Sequence, residues 1–253
     1  MISLNLSQWM SLEIYRALLV FIRIGAAMLL LPGYGEPSVP VRIRILVGVA
    51  IAAAVSANVA DMPQLVPGAG GIVKAVAAEA MAGALLGTLG RTLISAILVA
   101  GQVIGQNIGL SNVFATGVTI DQSATAGAAI YAGILAILFA SGAHHLILRG
   151  LIESYRLLPP GQFPNTGASA RVVVAAGARA FRLAGQIALP FLLLSLLFNA
   201  SLAVMNRALP AIPVFQIANP ALVVLGLYLL AATVPGILDP GLADWADLAG
   251  MMR

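Results

Sequence analysis

The sequence predicts an all-α integral membrane protein with about six hydrophobic helices. Hydrophobic residues make up 60% of the 253 residues, charged residues make up 9%, and the mean hydropathy is +1.01. A soluble domain carries about 25% charged residues, so this chain has too few to cover a surface that faces water. Its apolar runs are long and do not alternate strictly, which favours helices over the short alternating strands of a membrane barrel.

Composition also narrows the possible functions. Cysteine is absent, so the chain has no disulfide, no thiolate metal ligand and no cysteine nucleophile. The net charge of +4 comes almost wholly from arginine, since Lys74 is the single lysine. So small an excess of basic residues indicates contacts with lipid headgroups and an orientation in the membrane, rather than binding to nucleic acid. The first residues lack a basic stretch ahead of an apolar one, and we therefore expect no cleavable signal peptide.

Six apolar segments divide the chain, and turns rich in proline and glycine separate them. The segments cover approximately residues 14–31, 45–59, 72–110, 127–148, 181–205 and 220–234. If each crosses the bilayer once, Arg42 and Arg44 lie on the opposite side from the basic stretch 149–182. Basic loops normally share one side, so we expect some segments to form kinked hairpins that do not span. We treat residues 1–253 as a single domain, in which 171–182 suits a helix that lies against headgroups or enters the bilayer.

Arg23 is a candidate functional residue because it lies well inside the first apolar segment. Phe21, Ile22 and Ile24 surround it in the sequence. A charge at that depth is costly and usually faces protein or water. Arg16 lies nearer the end of the segment, and we expect its side chain to reach the headgroups. The sequence therefore assigns Arg23, but not Arg16, a role in function or assembly.

The third apolar segment carries two series of residues at spacings of four. The series are Glu79, Gly83, Gly87 and Arg91, then Gly101, Gly105 and Gly109. Glycines at this spacing are typical of membrane helices that approach one another closely. If the helix is continuous, the two series share roughly one face. The pattern predicts close helix packing, and it fits other subunits and this same chain equally well.

Residues 101–127 form a long polar and glycine-rich stretch between two strongly apolar halves. At membrane depth, non-helical backbone is tolerated only where protein buries it or water reaches it. The stretch therefore indicates an internal water-lined site such as a pore or a gate, although an ordinary extramembrane loop fits the composition equally well. Its polar residues include Gln106, Asn107, Asn112 and Asp121, which is its only charged residue, and Phe114 is its only aromatic residue.

We expect no metal, no other cofactor and no enzymatic activity. His144 and His145 point about 100° apart on a helix. They have no acidic or cysteine partner nearby, so a role at a helix end is expected instead. Serine, histidine and aspartate occur at no spacing typical of an active site. A phosphate-binding loop is also absent.

Three ordered runs resemble the FliR family of flagellar export-gate proteins, which has counterparts in virulence injectisomes. The first is Phe21-Ile22-Arg23-Ile24-Gly25 with Leu31-Pro32-Gly33-Tyr34-Gly35, Pro40 and Arg42. The second is GQVIGQNIGL at 101–110 with Asp121. The third is Met205-Asn206-Arg207-Ala208-Leu209-Pro210 with Val214-Phe215 and Asn219-Pro220. The chain departs from the family at Asn107 or Ile108, where members often have methionine. Ala211 and Ile212 replace residues that are often polar.

The resemblance implies a non-enzymatic subunit of the type III protein export gate, in the bacterial inner membrane at the flagellar basal body. Such subunits assemble with P-type and Q-type gate subunits below the rod, beside the A-type and B-type export proteins. Unfolded polypeptides pass through the resulting pore, driven by a partner ATPase and the proton gradient. By similarity, residues 110–124 form a plug loop with Phe114 as its stopper, and Asn206 and Arg207 lie in a turn involved in assembly. The candidate pore and plug residues that the resemblance implies are Gln106, Asn107, Leu110, Asn112, Phe114 and Asp121.

Two other interpretations remain beside the flagellar gate. An injectisome subunit would show the same motifs. A stand-alone small-molecule transporter would show matching broken helices in two repeated halves, and no such repeat is evident here.

Overall fold

The described part of the chain is helical, which confirms the predicted fold class. The computed structural model describes residues 6–36, 39–56, 59, 68–110, 132–133, 135–136, 139–140 and 142–251, with 6–10, 143, 146 and 234–251 as backbone only. The helices within these residues are α1 (Leu6–Leu30), α2 (Val41–Ser56), α3 (Ala69–Asn107), α4 (Ala143–Leu157), α5 (Thr166–Ala208) and α6 (Val214–Met251). Short described stretches at 132–133, 135–136 and 139–140, within the fourth predicted segment, are helical as well.

A tight turn joins α1 to α2. Gly33 has φ 82°, in the left-handed region that glycine adopts without steric cost. The amide of Gly35 donates to the carbonyl of Leu31 at 2.8 Å, and Arg44 Nη2 donates to the carbonyl of Glu36 at 2.8 Å. The turn is therefore fastened to the first turns of α2, and the two helices form a hairpin. Its core contains Val20, Ile24 and Met28 of α1, Ala52 and Val55 of α2, and Tyr155 of α4.

Helix α3 is one continuous helix of 39 residues, the condition under which its two glycine series share roughly one face. At 1.5 Å per residue it is about 58 Å long. The hydrocarbon core of a bilayer is about 30 Å thick. Helix α3 is therefore much longer than one perpendicular crossing requires.

Two helix boundaries differ from the sequence-based expectation. The fourth segment was expected to be helical up to Leu148, but α4 begins only after Gly142, whose left-handed φ of 74° interrupts the helix. The sixth segment was expected to end near Val234, but α6 continues through Pro235 and Pro240 to Met251. A proline removes one donor from the helix, and apolar helices tolerate that loss where neighbouring groups compensate.

The chain divides into two compact units. One comprises Met1–Leu93, Gly142–Gly177 and Ala246–Arg253, and the other comprises Ile94–Ser141 and Ala178–Trp245. In the second unit, the buried core joins the end of α3 to α5, through Ala100, Ile104 and Ile108 with Ala184 and Phe191. Among the described residues, three helices are long and apolar enough to cross a membrane, namely α3, α5 and the 214–233 part of α6.

Candidate functional site: a buried ion pair and the end of helix α3

Arg23 and Glu79 form a completely buried ion pair in the first unit. Both residues are 0% exposed. Arg23 Nε donates to Glu79 Oε2 at 2.6 Å, and Arg23 Nη2 donates to Glu79 Oε1 at 3.1 Å. This two-pronged geometry matches the planar guanidinium to the planar carboxylate and gives strong, directional hydrogen bonds. The pair joins α1 to α3.

The same pair holds the turn that follows α4. Arg23 Nη1 donates to the carbonyl of Leu158 at 2.9 Å, and the amide of Gly161 donates to Glu79 Oε1 at 2.6 Å. The guanidinium carbon lies 4.0 Å from the centre of the Tyr155 ring. Burial raises the pKa of the Tyr155 phenol, so the ring beside the cation is neutral. Buried charges are tolerated when they are paired and their other hydrogen-bonding groups are used, as they are here.

Two glycines explain how α3 comes close enough for Glu79 to reach Arg23. A Cβ added at Gly83 would collide with the carbonyl oxygen of Arg23, and one added at Gly87 would lie 2.7 Å from the carbonyl oxygen of Ala27. The backbones of α1 and α3 are therefore in direct contact along this face. Packing inside this chain accounts for Gly83 and Gly87.

A second arrangement surrounds the end of α3, in the other unit. Ile108 is buried, and Gly109 has φ 77°, so α3 ends inside the polar stretch 101–127. A Cβ at Gly109 would lie 3.1 Å from Asn219 Oδ1, and one at Gly226 would collide with the side chain of Ile108. Leu110 packs against the adjoining core. The last turn of α3 is thus fixed between the core and α6.

Of the other predicted pore residues, the structure describes Gln106 and Asn107. Gln106 is exposed, and the Asn107 amide donates to the carbonyl of Val103 at 2.8 Å within its own helix. Asn112, Phe114 and Asp121 lie outside the described residues, as do 111–124 of the predicted plug.

The other residues predicted for packing or assembly lie in α3 and at the end of α5. Gly105 is buried and Gly101 is half-buried in α3. Asn206 and Arg207 are exposed in the last turn of α5.

Sequence reasoning missed the partners of these sites. Leu158 and Gly161 contribute backbone groups, which no side-chain pattern can indicate. Gly226 is a lone glycine inside an apolar helix, and such a glycine is itself a signal of close packing. Asn219 lies in one of the three sequence runs that resemble the family, and its position beside Gly109 follows from the fold.

The helices and their apolar surfaces define a membrane protein, and comparisons with known sequences identify its family. The profile of the bacterial export proteins, family 1, matches residues 14–246. The chain is 32% identical over 230 residues to the flagellar biosynthetic protein FliR of Caulobacter vibrioides, covering 89% of this chain and 90% of that protein. It is 34% identical over 128 residues to FliR of Aquifex aeolicus, covering 51% and 49%. It is 29% identical over 92 residues to FliR of Escherichia coli K12, covering 36% and 35%.

The protein is therefore a membrane-embedded bacterial export protein. The chain belongs to the FliR family, as its three sequence runs indicated. Membership of this family indicates that the chain is a component of the flagellar export apparatus, with a structural role in transport.

Proposed function

We propose that the chain is a non-enzymatic subunit of the type III export gate and forms part of the pore that exports unfolded flagellar proteins across the inner membrane. The observation that carries the proposal is the end of α3. The helix ends just before left-handed Gly109 and is held against α6 through Ile108 and Gly226. The rest of the polar stretch, residues 110–127, follows this end of the helix. A fixed helix end before a polar segment suits a gate, because it gives the gating loop a stationary base.

In this proposal a plug moves against a fixed frame of helices. Tightly packed helices resist displacement, since moving them opens voids and removes contacts. Loops with few apolar contacts open at much lower free energy. We assign the frame to α3, α5 and α6, whose contacts include Phe191 and Ile108 in one buried core. We assign the plug to residues 110–124, which start at the packed Leu110. Phe114 is the bulky group that closes the pore, and Gln106 and Asn107 lie at its base.

The proposed partners are the P-type and Q-type gate subunits, the A-type and B-type export proteins and the rod. The relatives named above are flagellar proteins, which favours the flagellar apparatus over an injectisome. Purification of the tagged chain from its native cells in mild detergent, followed by mass spectrometry, tests the assembly. We expect stoichiometric P-type and Q-type subunits. A stable chain that purifies alone would contradict the gate and favour a stand-alone transporter.

Deletion of residues 111–121 is expected to make the membrane leak to small ions, because it removes the plug and leaves Leu110 in its packed position. A membrane-potential dye in cells that produce the assembled complex measures the leak. The Phe114→Ala variant should leak less than the deletion but more than the unaltered chain. Phe163→Ala is the matched control, since Phe163 is an exposed phenylalanine outside the proposed plug. An unchanged potential, with normal amounts of complex, would show that this segment does not close the pore.

A further inference from the structure

Helix α6 buries one face in the second unit, and that face meets the end of α3. Leu222 is 4% exposed, Gly226 is buried, and Asn219 and Val223 are half-buried, while the other residues from 220 to 225 are exposed. The spacings of four and three residues from Asn219 to Val223 to Gly226 place these three on one side of the helix. We call Asn219, Val223 and Gly226 the α6 socket.

The α6 socket and the end of α3 fit each other in both directions. Ile108 fills the space beside Gly226, since a Cβ added at Gly226 would collide with the Cβ and the Cγ2 of Ile108. In return, Asn219 and Val223 fill the space beside Gly109. A Cβ added at Gly109 would lie 3.1 Å from Asn219 Oδ1 and 3.8 Å from Val223 Cγ2. Two consecutive residues at the end of α3 are therefore enclosed by one face of α6.

The local structure at Gly109 ends α3 but does not place that end against α6. Gly109 has φ 77°, and its amide donates to the carbonyl of Gln106 at 3.3 Å. This hydrogen bond is one of the two that define the Schellman motif at the end of a helix. The motif involves only neighbouring residues of the chain. The position of the helix end relative to α6 therefore depends on the socket.

Leu110, the first residue of the proposed plug, depends directly on this position. It follows Gly109 in the chain and packs against the buried core that includes Ile108. The collision that a Cβ at Gly226 would cause involves the Cβ of Ile108, which no rotamer change can move away from the backbone. A displacement of Ile108 would therefore move its backbone and, through Gly109, the backbone of Leu110.

We propose that the α6 socket positions the gate. Through Ile108 and Gly109 it sets where the chain leaves α3, and it thereby holds the plug in the closed position. Asn219 and Gly226 are positioning residues, because they act on the plug only through the end of α3. This inference rests on the proposed function, since it requires a plug that starts at Leu110. The contrary role is a socket that only stabilises the fold.

A cysteine at position 110 tests the positioning, because the natural chain contains no cysteine. The full chain carrying Leu110→Cys is assembled with its co-produced partners, and the rate of its modification by N-ethylmaleimide is measured in membranes. Gly226→Ala should raise this rate about five- to tenfold, because overpacking against Ile108 favours local opening at the end of α3. In the chain with natural Leu110, Gly226→Ala should also make the membrane leak to small ions, although less than deletion of residues 111–121 does.

Asn219→Ala is a second variant, and it adds no bulk that could prevent assembly. It removes the side chain that lies against Gly109, so the modification rate should rise about two- to fivefold. Leucine has nearly the shape of asparagine, and Asn219→Leu should keep the natural rate, since the contact at Gly109 is one of shape. A rate that is raised equally in the alanine and leucine variants would overturn positioning by the shape of Asn219.

Ala96→Val is the matched control for overpacking. Ala96 is 3% exposed in the same buried core, but it lies about 18 Å before Ile108 along α3. The valine should lower the stability of the complex without changing the modification rate at position 110 or the leak. Changes in rate and leak that are equal in Gly226→Ala and Ala96→Val would show that the socket only stabilises the fold, and would overturn the inference.

The deletion of residues 111–121 separates this inference from the proposed function. If the deletion leaks but Gly226→Ala changes neither the modification rate nor the leak, the plug stands and the positioning role of the socket is wrong. If the deletion does not leak, the plug itself is refuted, and its positioning by the socket is refuted with it.

Discussion

The Arg23→Met variant is expected to lose about 3–5 kcal/mol of unfolding free energy, which is the cost of removing one partner of a buried ion pair while the other stays buried. Methionine fills much of the space of arginine, so the loss comes chiefly from the Glu79 carboxylate, which would remain buried without its partner. The carbonyl of Leu158 would lose its donor as well. Titration with sodium dodecyl sulfate in mixed micelles, followed by circular dichroism, measures the change.

The chain supplies a matched control for this variant. Arg16 and Glu13 also form an ion pair on α1, at 2.9 Å, but their side chains are 30% and 37% exposed. Exposed pairs contribute about 0–1 kcal/mol, so Arg16→Met should change the unfolding free energy little. Equal losses in the two variants would mean that burial does not determine the contribution of the Arg23–Glu79 pair.

Addition of Glu79→Gln to Arg23→Met should recover part of the lost stability. Glutamine carries no charge, and its side-chain oxygen can still accept the hydrogen bond from the amide of Gly161. The double variant is therefore expected to be more stable than Arg23→Met alone. If the two single losses simply add in the double variant, the residues are not coupled, and the account of the ion pair is wrong.

The Gly83→Ala variant is expected to have the second large effect, a loss of about 1–3 kcal/mol from overpacking. The new Cβ would meet the carbonyl oxygen of Arg23 and would lie 2.9 Å from the Cβ of Ala26. These are backbone and near-backbone atoms, so α1 and α3 must separate. Glu79 lies one turn away on α3, and its hydrogen bonds to Arg23 should weaken as a consequence.

Gly25→Ala is the control for Gly83→Ala. A Cβ at Gly25 meets nothing within 4 Å, and alanine is favoured over glycine inside a helix by about 0.5–1 kcal/mol. The control should therefore be neutral or slightly stabilising in the same detergent titration. A Gly83→Ala variant that is as stable as the Gly25→Ala variant would contradict the close contact between α1 and α3.

The sequence predicted the properties that depend on residues close together along the chain. Low charge and long apolar runs predicted a helical membrane protein. The depth of Arg23 in its segment indicated that it must face protein or water. These inferences succeed because the bilayer imposes its requirements on each segment separately.

The limits of the helices were harder to predict. Pro235 was expected to end the sixth helix, yet α6 continues to Met251. A proline removes one hydrogen bond, and the surroundings of the helix determine whether that loss ends it. Gly142 shows the opposite case, since a single left-handed glycine interrupts an apolar segment that looked continuous.

The sequence by itself determined the class of protein, the six apolar segments and the family, because composition, hydropathy and short motifs can be recognised locally. Only the tertiary structure decided that Arg23 pairs with Glu79, 56 residues away, and that both hold the turn at Leu158 and Gly161. It also decided that Gly83 meets α1 and that Gly226 meets Ile108. Glycines at spacings of four predict a close contact but do not identify the partner, because the partner depends on which helices the whole chain brings together.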